Sequence, residues 1–193
     1  WAYTYIMRAY EDNVMTGTYY DATTGERRFS PDATLTMPEL ITIVTRAFYA
    51  DEVEASTATG AWYAKNEEVA NAHNLLGGGI SMSGSATRYA MAVVMRNVMV
   101  DKGAQMPTEA ELEATQARIA DWSSIPVMFQ DAVATVFYLN IITGVDSVGT
   151  FDGSSTMNRA TAATVYCRLA DAIASLTDEP DDPIPTPTPT PTP

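Results

Sequence analysis

Three stretches of the chain share one pattern of apolar positions behind a residue that favours a helix start. After Thr36, Thr87 and Asn158, apolar residues recur at +4, +7, +8 and +11, which is one face of an α-helix. The three sets are Leu40, Ile43, Val44 and Ala47; Met91, Val94, Met95 and Val98; and Ala162, Val165, Tyr166 and Leu169. Thr and Asn are good N-caps because their side-chain oxygens accept a free backbone N–H of the first turn. Three helices with one pattern predict an internal repeat.

The segments that precede these helices match as well. Apolar segments start at Trp1, Trp62 and Met128, and each runs into a glycine-containing turn. The spacing from Ile6 to Gly17 equals that from Val133 to Gly144. We therefore predict an all-α fold of three helical-pair units, with long loops between the helices of each pair. The predicted units span residues 1–50, 57–102 and 117–175.

Local signals define several helix ends and connections. Thr36 with Glu39 makes a capping box, and Pro38 is tolerated in the first turn because its missing N–H would be unpaired there. Residues 18–35 are predicted as a long loop and 50–60 as a linker. The segment 108–113 is predicted as a short charged helix ahead of unit three.

The last part of the chain changes composition abruptly. From Asp178 onward acidic residues and prolines lead into alternating Thr and Pro, which favours extended polyproline II. We expect residues 176–193 to be a semi-rigid tether. The sequence has no initiator Met and no signal peptide, so we expect an excised part of a longer polypeptide, with one or more domains attached beyond the tether.

Charge excludes two classes of partner. The sequence has 24 acidic against 11 basic residues and a net charge of −13. Nucleic-acid binding rests on neutralising phosphates with Lys and Arg, so it is not expected, and neither is binding to an anionic membrane face. No run reaches the ~20 apolar residues of a membrane span.

Few residues are available for catalysis or metal binding. Cys167 and His73 are the sole cysteine and histidine, which excludes an intramolecular disulfide and a Cys/His zinc set. Cys167 is expected to be a small buried hydrophobe, and His73 a surface or half-buried helix residue. The methionine stripe at 91, 95 and 99 is expected to fill the core. No nucleophile motif or carboxylate pair indicates an enzyme, and no cofactor is expected.

The motifs of the units resemble those of the S-layer homology (SLH) family. The family's Thr-Arg-Ala-Glu box corresponds to residues 36–39, 87–90 and 158–161, which read Thr-Met-Pro-Glu, Thr-Arg-Tyr-Ala and Asn-Arg-Ala-Thr. Its Phe-x-Pro-Asp loop is kept in unit one at 29–32, and its Trp-containing start is best kept in unit three at 119–126. We call the helices that these boxes begin the box helices.

The resemblance implies a fold and a function. It implies a pseudo-threefold bundle with the box helices at the centre and grooves between the units. In the family these grooves bind secondary cell-wall polysaccharide, often through a pyruvylated terminal amino sugar. That would make this chain an extracellular, non-covalent cell-wall anchor. The alternative is a structural or self-assembly module of a surface layer that packs against other proteins.

The resemblance also implies the site residues, with the box arginines meeting the acidic group and the turn glycines letting sugar approach the backbone. The expected ligand-binding residues are Arg88, Arg159, Thr87, Asn158, Gly17, Gly78, Gly144, Asp32, Asp152 and Arg28. An arginine just after an N-cap lies at the positive helix end and can hold a carboxylate bidentately.

Other interpretations of these residues stay open. Arg88 and Arg159 could be ordinary surface residues, or could form an ion pair with an aspartate such as Asp152. Trp1 and Trp62 could be sugar-stacking platforms, but they are expected to pack under the first helices as core. Met37 offers no charge, so the groove that the first box serves is expected to be weak unless Arg27 or Arg28 reaches into it.

Overall fold

The computed structural model of the chain describes residues 1–177, and this part is mostly helical. The helices are α1 (Tyr3–Glu11), α2 (Met37–Phe48), α3 (Ala50–Ala55), α4 (Ala64–Ala72), α5 (Arg88–Asp101), α6 (Glu109–Gln116), α7 (Val127–Tyr138) and α8 (Arg159–Thr177). Strands β1 (Tyr19–Tyr20) and β2 (Arg27–Arg28) form one small antiparallel hairpin, and short 3-10 turns lie at Gly77–Gly79 and Trp122–Ser124. The prediction of an all-α fold is confirmed at this level.

The box helices α2, α5 and α8 begin where the caps predict. Thr36 and Glu39 form the full capping box on α2. The Thr87 hydroxyl accepts the Ala90 N–H at 3.2 Å, and Asn158 Oδ1 accepts the Thr161 N–H at 2.9 Å. The predicted charged helix is α6, which carries a second capping box.

The three segments that lead into the box helices meet in a closed ring of backbone hydrogen bonds. The Leu35 N–H donates to the Met157 carbonyl at 2.8 Å, the Met157 N–H to Ala86 at 2.9 Å, and the Ala86 N–H to Leu35 at 2.8 Å. All three residues are buried. Because buried backbone groups must be paired, this ring fixes the starts of α2, α5 and α8 side by side.

Each box helix also packs against the first helix of another predicted unit. Helix α2 packs on α4, α5 on α7, and α8 on α1. The α2–α4 contact includes a buried hydrogen bond of 2.8 Å from Asn66 Nδ2 to Thr45 Oγ1. The α8–α1 contact includes an ion pair of 2.7 Å between Arg8 and Asp171. The first described helix is therefore held by the last.

The core lies between these helix pairs and around the ring. The methionines at 91, 95 and 99 are buried within it, as predicted, and so is the Cys167 side chain. Burial raises the pKa of the Cys167 thiol to about 11, so it stays protonated at neutral pH.

The expectation that Trp1 and Trp62 are core residues is wrong. Trp1 is 86% exposed and Trp62 is 67% exposed. Both precede the first residue of their helix, and at the start of α1 the small side chain of Ala2 is buried instead. The Trp62 indole meets the Tyr63 ring edge-on, with 5.4 Å between centroids.

Two connections contain structure that the sequence pattern missed. The predicted loop 18–35 includes the hairpin β1–β2, whose turn is held by Asp21 accepting the Thr23 N–H at 2.8 Å. The predicted linker 50–60 includes α3, which has no capping side chain and no buried residue. Neither element is long enough to show an apolar period.

The predicted tether lies outside the described residues, apart from the end of α8. No helix in residues 1–177 has the length and apolar content that crossing a membrane requires.

Candidate functional site

Arg88 and Arg159 occupy matching places at the start of their box helices. Each backbone N–H donates to a neighbouring loop, from Arg88 to the Ser155 carbonyl and from Arg159 to the Ala33 carbonyl, both at 3.0 Å. Each arginine side chain extends into the same loop that accepts its backbone N–H. Each of the two residues is 7% exposed. The interpretation of both as ordinary surface residues is therefore wrong.

The Arg88 side chain is held by backbone carbonyls of the third unit. Its Nε donates to the Phe151 carbonyl and its Nη2 to the Thr143 carbonyl, both at 2.6 Å. The guanidinium carbon lies 4.9 Å from the centre of the Phe151 ring. Within residues 1–177 it forms no ion pair, so the suggested pair with Asp152 is not present.

Burial lowers the pKa of Arg88, and the charges of Asp152 and Asp121 oppose that shift. Arginine is not deprotonated in proteins, so Arg88 still carries its charge at neutral pH. Its hydrogen bonds join α5 to the third unit's loop, and they leave few donors for a ligand.

The Arg159 side chain is more available. Its Nε donates to the Phe29 carbonyl at 2.9 Å, and the guanidinium lies 4.8 Å from the centre of the Phe29 ring. The two Nη nitrogens make no hydrogen bond within residues 1–177. Burial lowers the pKa of Arg159, and the nearby Glu39 carboxylate opposes that shift.

Arg159 lines a groove of about 170 Å³, which we call the Arg159 groove. The first unit's turn at Thr16 and Gly17 forms one side, and α2 contributes Arg46. The exposed indole of Trp62 comes from the second unit. Typical small-molecule pockets are about 300–1,000 Å³, so this groove suits a single terminal group of a larger ligand.

The charges of the groove favour a carboxylate. Arg46 has no ion-pair partner in the described part of the chain, so two guanidinium groups line the groove and Glu39 offers one carboxylate against them. One oxygen of the Glu39 carboxylate, Oε2, accepts the Thr36 N–H and hydroxyl at 2.8 Å each. A carboxylate that leaves water needs such charged donors.

The corresponding groove beside α5 has a different character. It encloses about 430 Å³ and is lined largely by apolar and glycine residues, among them Ile80, Met128 and Phe129. Arg96, its only arginine among the described lining residues, is paired with Asp131 at 2.9 Å. Met37 is buried at 2% exposure, away from the lining of this groove.

Gly17 and Gly144 are constrained by their own chain. Gly17 has φ of +99°, and a Cβ on it would lie 2.8 Å from the Arg28 carbonyl oxygen. A Cβ on Gly144 would lie 2.7 Å from the Gly149 Cα. Both glycines are explained by turn geometry and close packing, and Gly17 also lines the Arg159 groove.

The remaining predicted residues fall in three kinds of place. Gly78 lies in the 3-10 turn Gly77–Gly79, and Asp32 is exposed after Pro31. Asp152 accepts a hydrogen bond from the Ser155 hydroxyl within its own loop. Arg28 lies in β2, paired with Glu26 at 2.7 Å, and does not line the Arg159 groove. Thr87 and Asn158 serve as caps.

Sequence reasoning missed two residues of the groove. The sequence pattern favours Trp62 as a core residue and assigns no role to Arg46. A signal for Arg46 was present, because Arg46 and Arg168 both lie ten positions after their caps, Thr36 and Asn158.

A scan of the sequence against protein-family models finds no match, and a search of curated proteins finds none either. Within residues 1–177 no group of three or more His, Cys, Asp or Glu is placed to hold a metal ion.

Proposed function

We propose that the chain is a non-covalent cell-wall anchoring module. It binds secondary cell-wall polysaccharide through an anionic, pyruvylated terminal sugar and tethers a larger surface protein. Its place is outside the cell, in the wall or surface layer of a bacterium, and it has no catalytic role.

The proposal includes an arrangement of three repeats around a pseudo-threefold axis. Its support is that equivalent positions make equivalent bonds. The residue before each cap belongs to the closed ring of Leu35, Ala86 and Met157. The residue after each cap donates its N–H to a neighbouring loop, from Met37 to Gly84, Arg88 to Ser155 and Arg159 to Ala33, each at 3.0 Å.

The observation that carries the functional proposal is the Arg159 groove. Two nitrogens of a buried guanidinium lack partners in the described residues, beside an unpaired Arg46 and an exposed Trp62 indole. A guanidinium fork binds a carboxylate in its plane, and an exposed aromatic ring offers a face to the C–H side of a sugar. A pyruvate ketal on a sugar combines both features.

The grooves are unequal in this proposal. Arg88 donates its hydrogen bonds to two carbonyls. In the groove beside α5, the single arginine among the described lining residues is already in an ion pair. We place the main site in the Arg159 groove and give Arg88 a smaller part in binding. The protein's net charge of −13 adds no long-range attraction for an anion, so short-range contacts must provide the affinity.

The test is calorimetric titration of a pyruvylated amino sugar into the wild type and single variants. A hydrogen bond to a charged group contributes about 1.5–3 kcal/mol, so Arg159→Ala and Arg46→Ala are each expected to weaken binding ~10- to 150-fold. Trp62→Ala is expected to weaken it too. The matched control is Trp1→Ala, because Trp1 is also exposed, at 86%, and does not line the groove.

Circular dichroism and urea unfolding show which variants keep the fold. Arg46 and Trp62 are exposed and their removal leaves no buried group unpaired, so these two variants decide the matter if Arg159→Ala is destabilised. Wild-type affinity in folded Arg46→Ala and Trp62→Ala proteins would contradict the proposed site.

A structural role in a surface layer is the second candidate. Val127 and Met128 are 83% and 65% exposed, and Met128 lines the apolar groove beside α5. Exposed apolar surface of this kind is typical of protein contacts. Sedimentation with purified sacculi, before and after extraction of the polysaccharide, distinguishes the two, because only the glycan anchor loses its target on extraction.

A further inference from the structure

The first unit contains an insertion that the third lacks. From Gly17 to Phe29 the chain advances 12 positions, whereas from Gly144 to Phe151, the matching residues of unit three, it advances 7. The longer segment of unit one contains the hairpin β1–β2, with Tyr19 opposite Arg28 and Tyr20 opposite Arg27.

The hairpin presents an arginine that has no acidic partner. The Arg27 guanidinium lies 4.4 Å from the centre of the Tyr20 ring and 5.9 Å from that of Tyr10. It makes neither a hydrogen bond nor an ion pair with the described residues. By contrast Arg28, its neighbour, is paired with Glu26.

Stacking prepares Arg27 for a planar anion. A guanidinium held against an aromatic ring keeps its N–H groups directed outward in the plane, where a carboxylate accepts two of them. The long side chain has then lost part of its conformational entropy before the ligand binds. Binding therefore has a smaller entropy cost.

A cavity adjoins this arginine. It encloses about 250 Å³ and has an apolar floor that includes Ile6, Met7 and Phe29. Tyr10 and Arg27 also line it, and Tyr10 is 37% exposed. We call it the hairpin cavity. Thr16 and Gly17 line both the hairpin cavity and the Arg159 groove, so the two are neighbours across a single turn.

We propose that the hairpin cavity binds a second, internal acidic sugar of the same polysaccharide whose terminal sugar lies in the Arg159 groove. Arg27 holds the carboxylate, and the apolar floor takes the C–H face of the sugar ring. The shared turn is the reason for choosing this ligand over an unrelated anion, because one chain of sugars can pass Gly17 and contact both sites. The inference rests on the proposed glycan-binding function.

The experiment compares two probes, the pyruvylated amino sugar alone and the polysaccharide extracted from sacculi. Arg27→Ala is expected to weaken binding of the polysaccharide about 10-fold or more and to leave binding of the single sugar unchanged. Arg27→Lys keeps the charge without the planar fork and is expected to restore only part of the affinity.

The control is Arg118→Ala. Arg118 is also exposed, and its guanidinium lies 5.6 Å from the centre of an aromatic ring, that of Phe137, but it lines neither cavity. It removes the same charge, so it corrects for net electrostatics. Equal weakening by Arg118→Ala and Arg27→Ala would overturn the hairpin site.

The two proposals fail in different ways. If the wild type binds neither probe, the glycan-binding function itself is wrong, and the hairpin inference falls with it. If the wild type binds both probes and Arg27→Ala matches it on both, the hairpin inference alone is wrong. If Arg27→Ala weakens both probes equally, Arg27 belongs to the terminal-sugar site and a separate internal-sugar site is again wrong.

Discussion

At the scale of single residues, two arginines with the same place in the pattern differ in what they leave unpaired. Arg88 gives two short hydrogen bonds to carbonyls, whereas Arg159 gives one and keeps both Nη nitrogens free among the described residues. The difference comes from the receiving loops, which are not alike in length or sequence. Under the proposed function, equivalent positions thus serve stability in one unit and binding in another.

Arg88→Ala is therefore expected to act mainly on stability. The variant loses two hydrogen bonds of a charged group and leaves the Phe151 and Thr143 carbonyls without their donor, so the free energy of unfolding should fall by about 1–3 kcal/mol. Urea unfolding measures it, with exposed Arg118→Ala as the reference. An Arg88→Ala protein as stable as that reference would show that the carbonyls find water instead.

His73, which directly follows α4, lies in a cluster with charged groups of α3 and α5. Its Nε2 contacts the Glu52 carboxylate at 2.6 Å and its Nδ1 contacts Asp101 at 2.9 Å. Tyr49 donates to Asp101 at 2.7 Å, and the Lys102 ammonium lies 3.7 Å from the Tyr49 ring centre. The bonds to Glu52 and Asp101 raise the pKa of His73 above its ordinary 6.5. Burial would raise the pKa of Asp101, but the bonds from His73 and Tyr49 lower it overall.

These shifts predict a pH dependence of stability. The His73 contribution is complete below its unfolded pKa of about 6.5 and is lost as pH rises through the higher folded value. The Asp101 contribution is complete above about 3.8 and is lost on acidification through its lowered folded value. The cluster therefore stabilises most between these limits.

Because His73 is the sole histidine, the loss of stability as pH rises above neutral can be assigned to it. Urea midpoints at pH 5.5 and pH 9 should differ more in the wild type than in His73→Gln. Identical pH profiles in the two proteins would refute the assignment.

At the scale of elements, the sequence predicts those features that depend on residues close to them in the chain. The starts of α2, α5, α6 and α8 follow from caps within three residues of the helix. The hairpin and α3 are not predicted from the sequence. Strands of two residues, and a helix of six residues with no buried face, show no periodic pattern of apolar positions. The direction of the Arg88 and Arg159 side chains was beyond sequence reasoning, since it depends on which loops lie beside the helix starts.

The cap of α2 gives a test at this scale. Thr36→Ala removes the hydroxyl that accepts the Glu39 N–H and donates to its carboxylate, so it should cost about 0.5–2 kcal/mol of stability. Thr36→Ser keeps the hydroxyl and should cost much less. Thermal or urea unfolding of the two variants compares them directly, and an equal loss in both would mean that the methyl group, not the cap, matters.

At the scale of the described molecule, contacts between the predicted units contribute more to the candidate site than contacts within them. The ring joins segments from three units, and each box helix packs on a first helix from another unit. The Arg159 groove likewise combines residues of unit one, Trp62 of unit two and Arg159 of unit three. Under the proposed function, no single unit could bind the glycan alone.

The packing of α1 on α8 has a consequence for how the chain acquires its structure. Contacts such as Arg8 with Asp171 and Tyr166 with Asp12 join residues separated by 163 and 154 positions. The entropy of closing so long a loop must be overcome before these contacts can form, so α1 should dock late, after the pairs α2–α4 and α5–α7 have formed. During synthesis the apolar side of α1 then stays unpacked until α8 has left the ribosome.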